Sequence, residues 1–306
     1  MGLTGPESAE PRTLAPFGRR ALRVTERREL GVYVVLAAED PGGPMPRAGQ
    51  FYMLAAAERW GGGSDERPFL PRAFSVLRAR EGDAGEGGRV DAAEGGGGDA
   101  GEAGRGAEAA RGARLEFMLE AVGPGTERLW ELAAGDGLLV TGPLGIGFTA
   151  PAAGRRALLC GGGVGTAPLA IWQDELLARG EPAPALLGFR DADHAPGASL
   201  LDNARIATDD GSHGHHGLVT DLLADGLDAD EAVVVYACGP PPMLEAVRAL
   251  CEQRAVPCQL ALESGMACGF GACFGCVVPL RGGGYLRLCV DGPVLDGSRL
   301  AGVQAH

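Results

Sequence analysis

The chain has 306 residues and a formal net charge of −13; its 27 basic residues are all arginine, and 45% of its residues are hydrophobic. That is more chain than one small core uses, so two to three domains are expected. The acidic balance argues against nucleic acid as a partner, because phosphate binding needs a basic stripe, and no apolar run reaches the length of a membrane span. Residues 1–18 are Pro- and Gly-rich without an apolar centre, so they read as a flexible tail and not as a secretory signal.

A first domain is expected over residues 19–152. ALRVTERREL, GVYVVLAAED and FYMLAAA are short segments divided by charged or turn residues, as antiparallel barrel strands are. FLPRAFSVLRA follows, and strand alternation puts Arg72, Phe74 and Val76 on one face with Ala73 and Ser75 on the other. Residues 80–114 are dominated by Gly, Ala, Glu and Asp, which cannot offset their ordering entropy by burial; they read as a disordered insertion between two barrel strands. LEFMLEAV resumes the barrel. Gly123, Gly125 and Thr126 then open a helix carrying Leu129, Trp130 and Leu132 on its inner side. Such a turn is either an anion site, where free N–H groups meet the positive dipole end, or an ordinary threonine cap.

The pattern changes in residues 153–258. An apolar strand from Ala157 to Cys160 runs into Gly161-Gly162-Gly163-Val164-Gly165-Thr166-Ala167-Pro168 and then a helix, the strand–turn–helix of a Rossmann-like parallel α/β domain. The turn is G-x-G-x-x-P, short of the full glycine fingerprint. APALLGFRDADH is the second strand, and residues 193–216 read as a variable connection whose His213, His215 and His216 belong to a solvated loop. AVVVYACGPPPMLEAVRALCEQR gives a buried strand, Cys238-Gly239-Pro240, and another helix. That tight turn stands at the carboxyl edge of the sheet, where ligands bind. PCQLALE reads as the last strand.

Residues 259–306 form the third unit. Cys268, Cys273, Cys276 and Cys289 stand in the pattern C-x₄-C-x₂-C-x₁₂-C, the plant-type spacing for a [2Fe–2S] cluster. Gly269, Gly271 and Gly275 let the backbone curl its N–H groups toward sulfur. A four-cysteine zinc site would more usually use two short knuckles, and disulfides would need an oxidising compartment. Clustered free thiols suit a reducing, cytoplasmic setting.

In order, R-x-[YF]-S, G-x-x-[ST], G-x-G-x-x-P and C-G-P resemble the ferredoxin–NADP reductase superfamily. With the C-terminal cysteines added, the chain is similar to the electron-transfer subunits of NAD-dependent dihydroorotate dehydrogenase B, from about Arg20 to Leu295 apart from two insertions. The resemblance implies an antiparallel Greek-key FAD barrel, a central NAD-binding domain and a small [2Fe–2S] domain. It implies that Arg72, Ala73, Phe74 and Ser75 hold FAD, with Arg72 on the pyrophosphate and Ser75 near the flavin ring. Gly125 and Thr126 would cap the pyrophosphate, and Met118, Leu119 and Glu120 would offer backbone contacts. Gly161, Gly162, Gly163, Gly165, Thr166, Cys238, Gly239 and Pro240 would frame the nicotinamide nucleotide. Ala73 stands where the family has proline.

The implied activity is electron transfer from dihydroorotate oxidation, on a partner subunit carrying FMN in a heterotetramer, through the cluster and FAD to NAD⁺ in pyrimidine biosynthesis. Nicotinamide takes two electrons at once and the cluster carries one, so a flavin between them is the natural converter. No residue reads as a base for a substrate proton, which fits substrate chemistry on a partner. Asp191 and Asp193 would disfavour a 2′-phosphate and so favour NAD. Three alternatives stand at this point. One is a subunit of another flavin and iron–sulfur complex, such as an NADH-dependent ferredoxin:NADP oxidoreductase, a sulfhydrogenase or a sulfite reductase. Another is a zinc-stabilised nucleotide-binding module without redox activity. The third is a self-sufficient reductase for a soluble acceptor.

Overall fold

The computed structural model describes residues 18–61, 68–81, 112–230 and 232–303. The expected tail (all but Gly18) and most of the expected 80–114 insertion lie outside the described residues. No helix among the described residues is long and apolar enough to cross a membrane.

The first seven strands are β1 (Arg20–Leu30), β2 (Tyr33–Asp40), β3 (Phe51–Ala56), β4 (Arg72–Ser75), β5 (Arg78–Glu81), β6 (Ala113–Glu120) and β7 (Gly137–Leu144), with the short helix α1 (Pro124–Trp130) before β7. They form one antiparallel barrel-type sheet in the order β4-β3-β7-β1-β2-β6-β5. The insertion is narrower than expected: Arg80 pairs with Arg114 and Glu81 with Ala113, so both of its ends are strand. Backbone pairing carries these residues into the ladder although their side chains have little to bury.

The second sheet is built on β8 (Arg156–Gly162), β9 (Ala185–Phe189), β10 (Ala204–Thr208), β11 (His215–His216), β12 (Val233–Cys238), β13 (Cys258–Ala261) and β16 (Val294–Asp296), ordered β11-β10-β9-β8-β12-β13-β16. All pairs are parallel except β13 with β16. Helices α2 (Thr166–Ala178), α3 (Val219–Ala229) and α4 (Pro241–Gln253) make its crossovers. The stretch expected as a variable connection over 193–216 is ordered instead. It contains a 3₁₀ turn at Ala195–Leu200, then β10 and β11, with Ala207 and Thr208 fully buried. His215 and His216 are the edge strand, not a loop.

Between β13 and β16 the chain makes an excursion holding β14 (Val277–Pro279), β15 (Tyr285–Arg287) and α5 (Leu288–Asp291). PCQLALE is therefore not the last strand, since β16 rejoins the sheet after the cysteines.

Strand alternation distributes the core. On β3, Tyr52, Leu54 and Ala56 face the barrel interior, whereas Phe51 and Met53 face a second core shared with Cys276, Val278, Leu288 and Cys289 of the excursion. On β12, Tyr236 meets Trp172 of α2 in a tilted contact and Phe148 of the barrel exit edge-on, at 5.4 Å and 5.6 Å between ring centroids. Barrel and parallel sheet are thus held by aromatic packing, and the cysteine arm is seated on β3.

Candidate functional site

Two clefts and the cysteine arm meet where the three units join. The first cleft, about 530 Å³, is lined from β4 by Arg72, Ala73, Phe74 and Ser75, from β6 by Met118 and Glu120, and by Thr126 of α1. Its opposite wall is Glu263, Ser264, Gly265, Met266 and Ala267, the run immediately before Cys268. The Ser264 hydroxyl is buried in that wall without a protein partner, and the volume suits a large organic cofactor. Arg72 donates to the Leu70 carbonyl at 2.6 Å and lies 6.0 Å from the Trp60 ring. Gly125 makes room for it, since a Cβ there would stand 2.5 Å from Arg72 Nε. A guanidinium, an orphan hydroxyl and an apolar floor fit a flavin nucleotide. Leu119 is fully buried in the barrel core and does not line the cleft. Thr126 uses its hydroxyl on its own turn, accepting from the Val122 and Gly123 N–H groups at 2.8 Å and 3.1 Å.

The second cleft, about 350 Å³, opens at the carboxyl ends of β8, β9 and β12, where the strand order reverses. Gly162, Gly163 and Pro240 line it, together with Arg190, Asp209, Tyr33, Glu120 and His194. Glu120 faces both clefts. Gly161 packs between Leu169 and Leu187, Gly165 against the Cys238 carbonyl, and Gly239 against Met243. The Thr166 hydroxyl is buried with no partner. Burial, reinforced by Glu263, raises the Cys238 thiol well above its ordinary range, so Cys238 stays protonated. Glu263 opens onto the first cleft but is ringed by protein, and that desolvation raises its carboxyl.

The four cysteines of the arm converge as two pairs. Cys276 Sγ lies 3.3 Å from Cys289 Sγ, both buried, and the Cys268 and Cys273 side chains are hydrogen-bonded nearer the surface. Among the described residues no three or more ligand side chains gather round one point. Two pairs match a two-iron cluster, in which each iron takes two thiolates. Desolvation pushes the Cys268 thiol up, but hydrogen bonds from the N–H groups of Cys273, Phe270 and Ala272 and from the Cys273 side chain outweigh it and bring it to about 6. Gly275 N–H donates to Cys273 Sγ and Cys289 N–H to Cys276 Sγ, at 3.4 Å and 3.5 Å. Gly269 and Gly271 adopt φ of 78° and 87°, which the curled backbone needs. A Cβ on Gly269 would lie 2.6 Å from Met53 of β3, so the loop is pressed against the barrel. Phe270, Phe274 and Tyr285 are exposed on this arm.

Sequence reasoning missed Tyr33, His194, Asp209 and the wall from Glu263 to Ala267. Only the last had a local signal, its position directly before Cys268.

Residues 263–301 match the model of the iron–sulfur cluster binding domain of dihydroorotate dehydrogenase B. A dihydroorotate dehydrogenase B (NAD(+)) electron transfer subunit from Clostridium acetobutylicum is 36% identical over 262 residues, covering 83% of this chain and 86% of its own. One from Bacillus caldolyticus is 43% identical over 180 residues, covering 56% and 68%. Among solved structures, an NADH-dependent reduced ferredoxin-NADP oxidoreductase superposes with a TM-score of 0.69 at 23% identity, covering 92% of this chain and 90% of that one. A ferredoxin reductase of carbazole 1,9a-dioxygenase gives 0.56 at 21%, covering 79% and 66%. The structural likenesses establish the fold. The iron–sulfur match sets aside the zinc-stabilised, non-redox alternative.

Proposed function

The chain belongs to the family of dihydroorotate dehydrogenase B (NAD(+)) electron transfer subunits, and from that we propose that its arm and two clefts are successive stations for electrons passing from dihydroorotate oxidation to NAD⁺. The cluster sits on Cys268, Cys273, Cys276 and Cys289, FAD in the first cleft, and NAD in the second. The observation that carries this reading is the shared wall: residues 263–267 line the first cleft and run straight into Cys268. Glu120 likewise belongs to both clefts.

FAD supplies the exchange between paired and single electrons. The chain's own groups do the rest. Arg72 would hold the cofactor's pyrophosphate, and Ser75 with Phe74 would border its ring system. Ser264 offers its free hydroxyl from the arm side. Gly162 and Gly163 present backbone N–H groups to the dinucleotide, a close approach that a side chain would block. Cys238 lies buried at the end of β12, behind the second cleft and not in its lining, as a neutral thiol, and Glu263 beside it holds a proton more readily than an ordinary carboxyl. Dihydroorotate is oxidised on a catalytic partner subunit, which carries FMN and assembles with this chain as a heterotetramer in the cytoplasm.

The test is anaerobic co-purification with that partner, followed by iron, sulfide, zinc and flavin assays and dihydroorotate-dependent reduction of NAD⁺. The expected result is about two irons and two sulfides per chain, one FAD, and NADH production that needs both subunits. A fully loaded complex that oxidises dihydroorotate without reducing NAD⁺ would overturn the reading.

A further inference from the structure

Tyr33 opens β2 and pairs with Glu120 of β6 in the barrel ladder. Its ring packs on the segment that follows β9. A Cβ on Gly197 would lie 3.1 Å from Tyr33 Cε2, and the His194 ring meets Tyr33 edge-on at 5.9 Å between centroids. One residue earlier, Val32 N–H donates to the Asp193 carbonyl at 3.3 Å. The start of β2 is thereby fastened to the parallel sheet, and Tyr33 lines the second cleft.

The side chain is fully buried, yet its hydroxyl has no hydrogen-bond partner among the described residues. A buried hydroxyl left unpaired is costly, and native structures seldom keep one without a group to meet it. Burial, reinforced by Glu120, pushes the phenol well above its ordinary range, so it remains an O–H donor. This donor stands beside the glycine turn that follows β8. Gly163 adopts φ of 53°. Outside that turn, the Tyr33 hydroxyl is the only atom of the described residues within 4 Å of where a Gly163 Cβ would be, at 4.0 Å. The gap between them is open, and it lies where a glycine turn at a strand's carboxyl end takes a pyrophosphate. Arg190 lines the same cleft and adds a positive charge.

We propose that Tyr33, a residue of the barrel, binds the dinucleotide across the domain boundary, its hydroxyl donating to an oxygen of the pyrophosphate seated on Gly162 and Gly163. This rests on the assignment of the second cleft to NAD and adds a contact from the flavin domain to it. The orphan hydroxyl then finds its partner only when the dinucleotide is bound.

The test is Tyr33→Phe, which keeps the ring and removes only the hydroxyl. NAD⁺ and ADP-ribose, which share the pyrophosphate, are titrated calorimetrically into the oxidised holoprotein, and thermal unfolding is followed without either. The variant should lose about tenfold in affinity for both compounds. Its flavin content should match wild type, and its unliganded Tm should be no lower, because the hydroxyl has no protein partner to lose. Unchanged affinity for NAD⁺ overturns the proposal. So does a loss confined to NAD⁺, which would put the contact on the nicotinamide half. A Tm that falls in the unliganded variant also overturns it, since the hydroxyl would then be holding the barrel to the sheet. Each of these leaves the NAD assignment standing. A flavin-loaded wild type that binds no NAD⁺ removes the cleft assignment, and the proposal with it.

Discussion

Gly165 stands so close to Cys238 that a Cβ on the glycine would lie 2.4 Å from the cysteine's carbonyl oxygen. The turns ending β8 and β12 are thus in backbone contact, and neither partner can give way by rotating a side chain. Gly165→Ala should pry the turns apart and weaken NAD⁺ binding by about tenfold or more, with flavin content changing less. Titration of NAD⁺ checks this, and an unchanged dissociation constant would mean that the two turns move independently.

Arg72 and Gly125 make the corresponding pair in the first cleft. Arg72→Ala removes the guanidinium proposed to hold the cofactor and should lower FAD affinity by about 10- to 100-fold. Gly125→Ala should have a smaller effect in the same direction by displacing the guanidinium. The ratio of flavin absorbance to protein, before and after dialysis, reads both.

Cys273 is the exposed member of its pair, and its replacement removes a proposed cluster ligand without opening a core. Cys273→Ser should abolish the cluster absorbance while sparing the flavin and NADH-driven dye reduction, and it should stop dihydroorotate-dependent NAD⁺ reduction. Iron analysis on the same sample shows whether cluster and coupling are lost together.

Asp191 spends its carboxylate on the His194 ring and on the N–H groups of Asp193 and His194, and the ring hydrogen bond holds it below the usual carboxyl range. Asp209 instead lines the second cleft. Selectivity against a 2′-phosphate is therefore expected from Asp209. Asp209→Ser should raise the ratio of kcat/KM for NADPH over NADH by about tenfold; Asp193→Ser should leave it near the wild-type value.

Asp40 is fully buried and bound by Arg20 through two hydrogen bonds of 2.9 Å and 2.7 Å, and Arg20 also donates to the Gly142 carbonyl at 2.7 Å. Asp40→Asn would leave a buried guanidinium uncompensated and should destabilise the barrel by about 3–5 kcal/mol. Chemical denaturation of the flavin-loaded protein measures it.

Much of the architecture was legible because its signals are local. The apolar run of β2, the alternation in β6, the glycine turn after Cys160 and the spacing from Cys268 to Cys289 each declare a structure within a few residues. What escaped depends on distant partners. β16 is three residues long and is a strand only because β13 offers it an edge. ARIAT, in β10, is short and set among Gly, Asp and His, so its period is masked until β9 pairs with it. His194 gave no sign at all, since Glu120 and Tyr33 reach it from far away in the chain. Asp191 and Asp209 could not be told apart by position, as both follow a strand end, and only packing shows which one faces the cleft.

The antiparallel pairing of β13 with β16 decides how the arm behaves as an object. Ala261 and Val294 are neighbours, and Leu262 N–H donates to the Pro293 carbonyl at 3.0 Å, so the excursion leaves and re-enters one sheet edge at a single point. With both feet planted there and its loop pressed on Met53, the arm is a bracket and not a swinging carrier. It cannot ferry electrons by travelling between subunits. A donor is therefore expected to come to the bracket, from which residues 263–267 lead straight into the wall of the first cleft.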